Sequence, residues 1–203
     1  MKFKHFLPMG IVAFMVACTP ATKLEKSWLD PSVTPATIKP FNKVLVVAKL
    51  KDESSRRIAE DNVVQQIKAP TVGVPSYKVV SPNESEPQLS AKLKEDGFDG
   101  VIIMQLKEVE KSTTYTPGTV YAGGWYRGYR GGYWGVQTTP GHYSEDMTYL
   151  IETSIFSLID NKLIWAGTTS SLNPSKVEKT IDEVMAAIRA DLAAKGLISQ
   201  PAK

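Results

Sequence analysis

The chain has 203 residues, with 24 basic against 21 acidic side chains, 42% apolar residues and one cysteine. This suits one domain of ordinary size plus an appendage, with enough apolar side chains for a core. One cysteine leaves no internal disulfide and no cysteine-based metal site.

At the N-terminus, Lys2, Lys4 and His5 precede an apolar run from Phe6 to Met15, followed by Val16-Ala17-Cys18. A membrane span needs roughly 20 apolar residues, and this run is about ten with Pro8 and Gly10 inside it, so it reads as a secretion signal rather than an anchor helix. The arrangement resembles the signal peptide and lipobox of bacterial lipoproteins, with small Ala17 before the cysteine and Met15 where leucine is usual. The resemblance implies cleavage before Cys18, a diacylglycerol on its sulfur and an acyl chain on its new amine, with no other cofactor and no metal. Cleavage removes 17 residues of 203 and leaves 186; Lys2 and Lys4 go with the signal, so 22 basic residues face 21 acidic ones. A charge of +1 is no electrostatic footprint for nucleic acid. Several acyl chains make release from a bilayer negligible, each buried CH₂ contributing roughly 0.8 kcal/mol. Thr19, rather than aspartate, follows the cysteine, so the resemblance leans towards the outer membrane and leaves the leaflet open.

Residues 19–40 carry Pro20, Pro31, Pro35 and Pro40, which remove amide donors and disfavour helix. With Cys18 they predict a tether over 18–42, with Trp28 and Leu29 able to dock, ahead of a domain over 43–199. Val44 to Ala48 is a continuous apolar run, expected as a strand buried on both faces. Ala59, Val63 and Ile67, with Ile58 and Val64 beside them, predict an amphipathic helix that starts at Asp52 to Ser55 and ends before Pro70. Tyr77 to Val80 reads as a short strand. Ser85 and Gln88 form a capping pair for a second helix, which turns Leu89 and Leu93 inward and closes at Gly97. Val101 to Met104 is a third apolar strand, running on towards Tyr115. Tyr149 to Ile159 reads as a strand with Ile151, Ile155 and Ile159 on one face; Asp160-Asn161 turns the chain, and Leu163 to Thr169 returns. A Ser175–Glu178 box opens the clearest helix, whose stripe is Val177, Ile181, Val184, Met185, Ile188 and Leu192, ended by Gly196. This helix is expected on one sheet face beside the first two.

Short apolar strands separated by helices argue for parallel pairing. The fold class is α/β (α+β): a single domain with a mixed sheet of about five strands, three helices, a long C-terminal hairpin and a closing amphipathic helix. The lipobox, Val44 to Ala48 leading into Arg57 and Glu60-Asp61, the block Gly97-Phe98-Asp99-Gly100-Val101-Ile102, and Leu163-Ile164-Trp165-Ala166-Gly167 together resemble a group of small bacterial envelope lipoproteins. The element order is also similar to the N-terminal domain of TolB and the core of CsgG-type lipoproteins. The resemblance implies a mixed sheet with helices and an envelope role, and it carries no catalytic residues.

Loop 117–144 is rich in glycine, tyrosine and tryptophan. Glycine at that density does not build a regular core element. Trp125, Tyr126, Arg127, Tyr129, Arg130, Tyr133 and Trp134 are the candidate contacts for a partner or a glycan, because Tyr, Trp and Arg dominate binding hot spots. The same loop reads first as a plain hairpin tip, next as a docking surface for an envelope protein or another copy, and last as a platform for sugars or lipid headgroups. No Gly-Lys-Ser/Thr follows the glycines, so they spell no phosphate loop. After cleavage His142 is the only histidine, and a Ser–His–Asp arrangement with Ser144 and Asp146, or a metal site with Glu145 and Asp146, would depend on it. The carboxylate pairs Asp52-Glu53, Glu60-Asp61 and Glu95-Asp96 read as structural, with Arg57–Asp61 and Arg56–Glu60 spaced to pair along a helix. Asp99 is expected to bind turn amides.

The expected function is that of a non-catalytic, membrane-anchored envelope lipoprotein that presents this loop to a partner. A self-assembling ring or secretion-type subunit is the alternative, followed by an envelope hydrolase. The membrane is the first partner, and another envelope protein, a second copy or cell-wall glycan is the next.

Overall fold

The structure, a computed structural model, describes residues 21–81, 86–122, 126–128, 131–133 and 136–199; at 86, 120–122, 126–128, 131–133 and 136–138 only the backbone is described. Cys18, the signal peptide and Ser85 lie outside the described residues.

The main sheet has six strands in the order β1 (Thr22–Leu29), β10 (Lys162–Leu172), β9 (His142–Ser157), β4 (Gly100–Thr116), β2 (Lys43–Lys49) and β3 (Val72–Pro75). β2 pairs in parallel with β3 and with β4, while the other neighbours are antiparallel. The parallel half follows from Val44 to Ala48, where alternate residues enter opposite cores. Val46 and Ala48 pack with Ala59 and Val63 of α1 (Glu53–Gln66) and with Ile181, Val184, Met185 and Ile188 of α3 (Val177–Ala194). Leu45 packs on the other face with Leu93 of α2 (Glu86–Glu95), Phe98 and Val101. The helices are therefore split: α1 and α3 lie side by side, tied by Gln66 to Asp182 and Arg189, each at 2.8 Å, and α2 covers the reverse face. The expected grouping of all three on one face fails because Leu89 and Leu93 meet the odd-numbered side chains of β2 rather than the even ones.

The sixth strand comes from the segment expected to be a tether. No proline falls within Thr22–Leu29, and those eight residues form an edge strand whose first side chain is buried. Thr22 Oγ1 lies 2.7 Å from Ser171 Oγ and donates to Glu183 of α3 at 2.8 Å. Trp28, able to dock by the sequence reading, stays 47% exposed, and Leu29 packs against the α1/α3 core.

Three local expectations also change. The strand expected at Tyr77 to Val80 is instead Val72–Pro75, and Ser76–Lys78 is a 3₁₀ turn; Pro75 has no amide to extend the ladder. Ile159 falls in the turn after β9 and is 68% exposed, while Asn161 takes the left-handed conformation at φ 49°. The Ser175 box does not form: Lys176 is the N-cap without a side-chain bond, and Thr180 Oγ1 donates to the Lys176 carbonyl at 2.8 Å. The α3 stripe itself is as expected, with Ile181, Val184, Met185 and Ile188 buried and Val177 and Leu192 partly so. Gly196 ends it at φ 71°, a conformation that favours glycine.

Trp165 joins sheet and helix. Its side chain is fully buried, and its indole N–H donates to Asp191 of α3 at 2.8 Å. The same carboxylate accepts from Ser27 of β1 at 3.1 Å and from Lys195. Gly167 is the space under the indole: an added Cβ would lie 2.7 Å from Trp165 Cζ2. Gly167→Ala should destabilise the domain by about 1–3 kcal/mol in denaturant unfolding, because ring or strand must shift. Burial alone would raise the Asp191 pKa, but hydrogen bonds from Lys195, Trp165 and Ser27 outweigh it and hold the group below its usual range. A depressed folded-state pKa stabilises above the unfolded value and is lost as pH falls through the folded one. Unfolding free energy should therefore fall below about pH 4, and Asp191→Asn should flatten that acid limb. An unchanged limb in the variant would assign the acid sensitivity elsewhere.

Candidate functional site

Two features at one end of the sheet form the candidate site: a projecting ribbon and a cleft at its base. β4 and β9, of 17 and 16 residues, outlast their neighbours. β2 pairs with β4 only as far as Gln105, and β10 with β9 only as far as Thr148. Beyond that, β4 and β9 pair in the sheet only with each other, down to Thr116 opposite His142, while Asn173 just past β10 still bonds the Met147 amide and carbonyl, each at 2.8 Å. From Glu108 to Thr116 every β4 residue is exposed.

A bulge at Lys107 sets what this ribbon shows. Leu106 pairs with Ile151, but the next pair is Glu108 with Leu150, so the alternation of β4 changes phase. Val109, Lys111, Thr113 and Tyr115 now share a face with Tyr149, Met147, Glu145 and Tyr143, the same face on which Ile151 meets the α1/α3 core. The opposite face carries Glu110, Ser112, Thr114, Thr116, Thr148, Asp146, Ser144 and His142. The ribbon is thus amphipathic. Its apolar face is open, with Val109 43%, Met147 40%, Tyr115 53% and Tyr143 73% exposed. Tyr115 and Tyr143 lie ring against ring at 4.8 Å, and Lys111 pairs with Glu145 at 2.9 Å between them and the base.

The glycine-rich segment continues the ribbon as two small antiparallel ladders. β5 (Val120–Ala122) pairs with β8 (Val136–Thr138), and β6 (Tyr126–Gly128) with β7 (Gly131–Tyr133). Glycine density did not prevent backbone pairing here. Tyr126 pairs with Tyr133 and Arg127 with Gly132 in register. Trp125, Tyr129, Arg130 and Trp134 lie outside the described residues.

The cleft, about 350 Å³, opens where β2 ends and α1 and α3 begin. Its walls are mainly apolar, including Ala48, Met104, Leu106, Tyr149, Ile151, Val177 and Ile181, and Lys51, Asp52, Ser55 and Lys176 stand among its polar residues. Crevices beyond the carboxyl ends of parallel strands are common ligand sites. The sequence reading missed this one, although the C-terminal ends of the Val44 and Val101 strands pointed to it. Asp52 is committed: its carboxylate accepts from the Ser55 amide at 2.7 Å as the α1 cap, and that bond holds its pKa down.

The remaining candidates are engaged in the framework. Glu60 is completely buried and accepts from the Ala48 amide at 3.1 Å, the Ser76 hydroxyl at 2.6 Å and the Tyr77 amide at 3.2 Å. Asp99, 7% exposed, accepts from the Asn42 and Lys43 amides at 2.7 and 3.0 Å, as expected of it. The helix pairs are redrawn. Arg56 and Arg57 both bond Glu53 at 2.8 Å and hold its pKa down to about 2; Arg56 reaches Glu60 at 3.9 Å, and Asp61 accepts instead from the Tyr77 hydroxyl at 2.8 Å. His142 is at the ribbon's outer end; Asp146 accepts from Asn173 at 2.7 Å and Glu145 is held by Lys111. Among the described residues, no three His, Cys, Asp or Glu side chains group closely enough to hold a metal, and no helix is long and apolar enough to cross a membrane.

No protein-family model matches the chain, and no curated protein matches it. Solved structures similar to it include the PelC dodecamer from Paraburkholderia phytofirmans, 9% identical over 82% of this chain and 94% of that one, with a TM-score of 0.40. Lipoprotein GNA1162 from Neisseria meningitidis is 12% identical over 75% of this chain and 98% of that one, with a TM-score of 0.40. A PDZ domain protein from Parabacteroides distasonis is 8% identical over 90% of this chain and 36% of that one, with a TM-score of 0.31.

If Glu60 is framework, Glu60→Ala should cost about 2–4 kcal/mol, because buried donors from β2 and the 3₁₀ turn lose their acceptor. Glu60→Gln should cost less, since it keeps an acceptor oxygen. Urea unfolding of the two variants measures the difference, and a Glu60→Ala protein of unchanged midpoint would refute the assignment.

Proposed function

We propose that this chain is a lipid-anchored envelope protein that works by binding rather than by catalysis. An acylated Cys18 holds it on a membrane, the outer membrane by the residue that follows the cysteine. The β4–β9 ribbon, with the Gly/Tyr/Trp/Arg segment at its end, is the surface that meets its partner. One observation carries this reading: a ribbon that leaves the sheet with one face apolar and aromatic, and with Val109, Met147, Tyr115 and Tyr143 on that face 40–73% exposed. An exposed apolar patch on an otherwise polar surface marks a contact site. The carboxylates offer it no rival, since Asp52, Glu60 and Asp99 spend their oxygens on backbone amides.

Replacing Tyr143 with a photo-crosslinking phenylalanine tests the surface in intact envelopes, since the probe captures protein, glycan or lipid alike. Adducts should form at 143 and be several-fold fewer with the same probe at Ser112 on the opposite face. Equal capture from both faces would remove the case for the ribbon. Cys18→Ala should leave the mass without acyl chains and lower the membrane-bound fraction at least about tenfold. Retention of that variant on membranes would contradict the anchor.

A further inference from the structure

The strand order places the anchor and the ribbon at the same end of the molecule. β1 runs antiparallel to β10, so Thr22 pairs with Ser171; Ser171 pairs with Tyr149, and Tyr149 with Val109. Thr22 therefore stands in the row from which the ribbon departs. Its position is firm, because its buried hydroxyl is bound to both β10 and α3. From Cys18 to Thr22 is four residue steps, and a chain spans at most about 3.3–3.6 Å per residue, so an acyl group on Cys18 sits within roughly 14 Å of that row whatever path the chain takes. From Val109 to Thr116 the ribbon advances seven steps beyond the same row, about 24 Å at roughly 3.4 Å per residue. The lipid tether is shorter than the ribbon.

We infer that the apolar face of the ribbon docks on the phospholipid bilayer that carries the Cys18 acyl chains, at the level of the headgroups. The inference rests on the acylation reading above and names the partner of the same surface. Tyr115, Tyr143, Tyr149, Val109 and Met147 supply the aromatic and apolar contacts, and aromatic side chains settle at membrane–water interfaces because one end of the ring is apolar and the other wet. The depth follows from two further facts. The Lys111–Glu145 pair lies in the middle of this face and keeps its charges at the aqueous boundary. The outer edges of β4 past Gln105 and of β9 beyond Met147, whose amide and carbonyl are taken by Asn173, have no neighbouring strand in the sheet, and unpaired backbone groups are excluded from hydrocarbon but are satisfied among headgroups and water. The ribbon lies on the bilayer as a third contact beside two or more acyl chains, and it fixes which side of the domain faces the membrane.

The test uses the full chain, produced and acylated in a bacterial host and reconstituted in phosphatidylethanolamine–phosphatidylglycerol vesicles. Tyr143→Cys and Met147→Cys report on the apolar face, and Ser112→Cys and Thr114→Cys on the polar one. All four positions are exposed, so the fold tolerates them, and the acylated Cys18 leaves only the new thiol free for an environment-sensitive fluorophore. The inference predicts blue-shifted labels at 143 and 147, quenched by roughly half by a headgroup-region nitroxide lipid, and little change at 112 and 114. Intact mass and vesicle flotation are read on the same samples. Acylated, floating protein with no quenching at 143 and 147, or with equal quenching on both faces, overturns the docking while the anchor stands. A blue shift without lipid quenching but with energy transfer between labelled copies assigns the face to a second copy and also overturns it. Protein that is neither acylated nor membrane-bound sinks the anchor and the docking together.

Discussion

The antiparallel pairing of β4 with β9 is the constraint on which the rest depends. It is the only pairing that runs from the buried end of the sheet to its outermost described row, from Gly100 opposite Ser157 to Thr116 opposite His142. Its inner half is a core interface, with Met104, Ile151 and Ile155 under α1 and α3. Its outer half has no other strand beside it in the sheet. One extra residue, Lys107, decides what the outer half displays. Without the phase change there, Glu108 and Glu110 would continue the face of Leu106, and the ribbon would put carboxylates where it now puts Val109 and Lys111, and Thr114 in place of Tyr115.

The rest of the molecule holds that pairing in a fixed relation to β1. β1 would be a dispensable edge strand if only sheet area mattered. It is bound instead at both ends to α3, through Thr22 to Glu183 and Ser27 to Asp191, and the second of these carboxylates also holds the buried indole of Trp165. α3 in turn packs on β1, on β10 and beside α1, and its Val184 and Ile188 belong to the same core cluster as Met104 of β4, so β1 and β4 share one support. Under the proposed acylation of Cys18, a lipid tether attached there would transmit orientation, which a long flexible linker would not do. The cleft at the ribbon's base belongs to the same end, and its apolar wall of Leu106, Tyr149 and Ile151 continues into the apolar face of the ribbon.

Much of this was legible in the chain. Val44 to Ala48 announced a strand buried on both faces, and six apolar residues at helical spacing announced α3, because each pattern depends only on local period. β1 was not legible: four prolines across residues 19–40 suggest an extended linker, yet the eight residues between Pro20 and Pro31 that form the strand contain none, and the strand they pair with is some 140 residues away. The side taken by α2 was hidden for a similar reason, since Leu89 and Leu93 define an apolar stripe but not which face of β2 receives it. Glu60 looked like one half of a surface ion pair, and only the packing of α1 on β2 and the 3₁₀ turn shows it to be buried. For the candidate site, the aromatic segment was visible as an anomaly. The amphipathic ribbon beneath it was not, because the bulge at Lys107 breaks the alternation that would reveal one apolar face in the sequence of β4.

Under the proposed docking, the end of the sheet that bears the ribbon and the cleft is the end that faces the membrane. Hydrogen–deuterium exchange of the acylated protein on vesicles, compared with the same protein in detergent, measures this directly. The account predicts slower exchange on vesicles at residues 108–116 and 142–149, where ribbon amides are open to solvent, with no change in α2 or the turn at 158–161 at the far end. Protection at α2 and that turn, with the ribbon exchanging equally fast in both conditions, would contradict it.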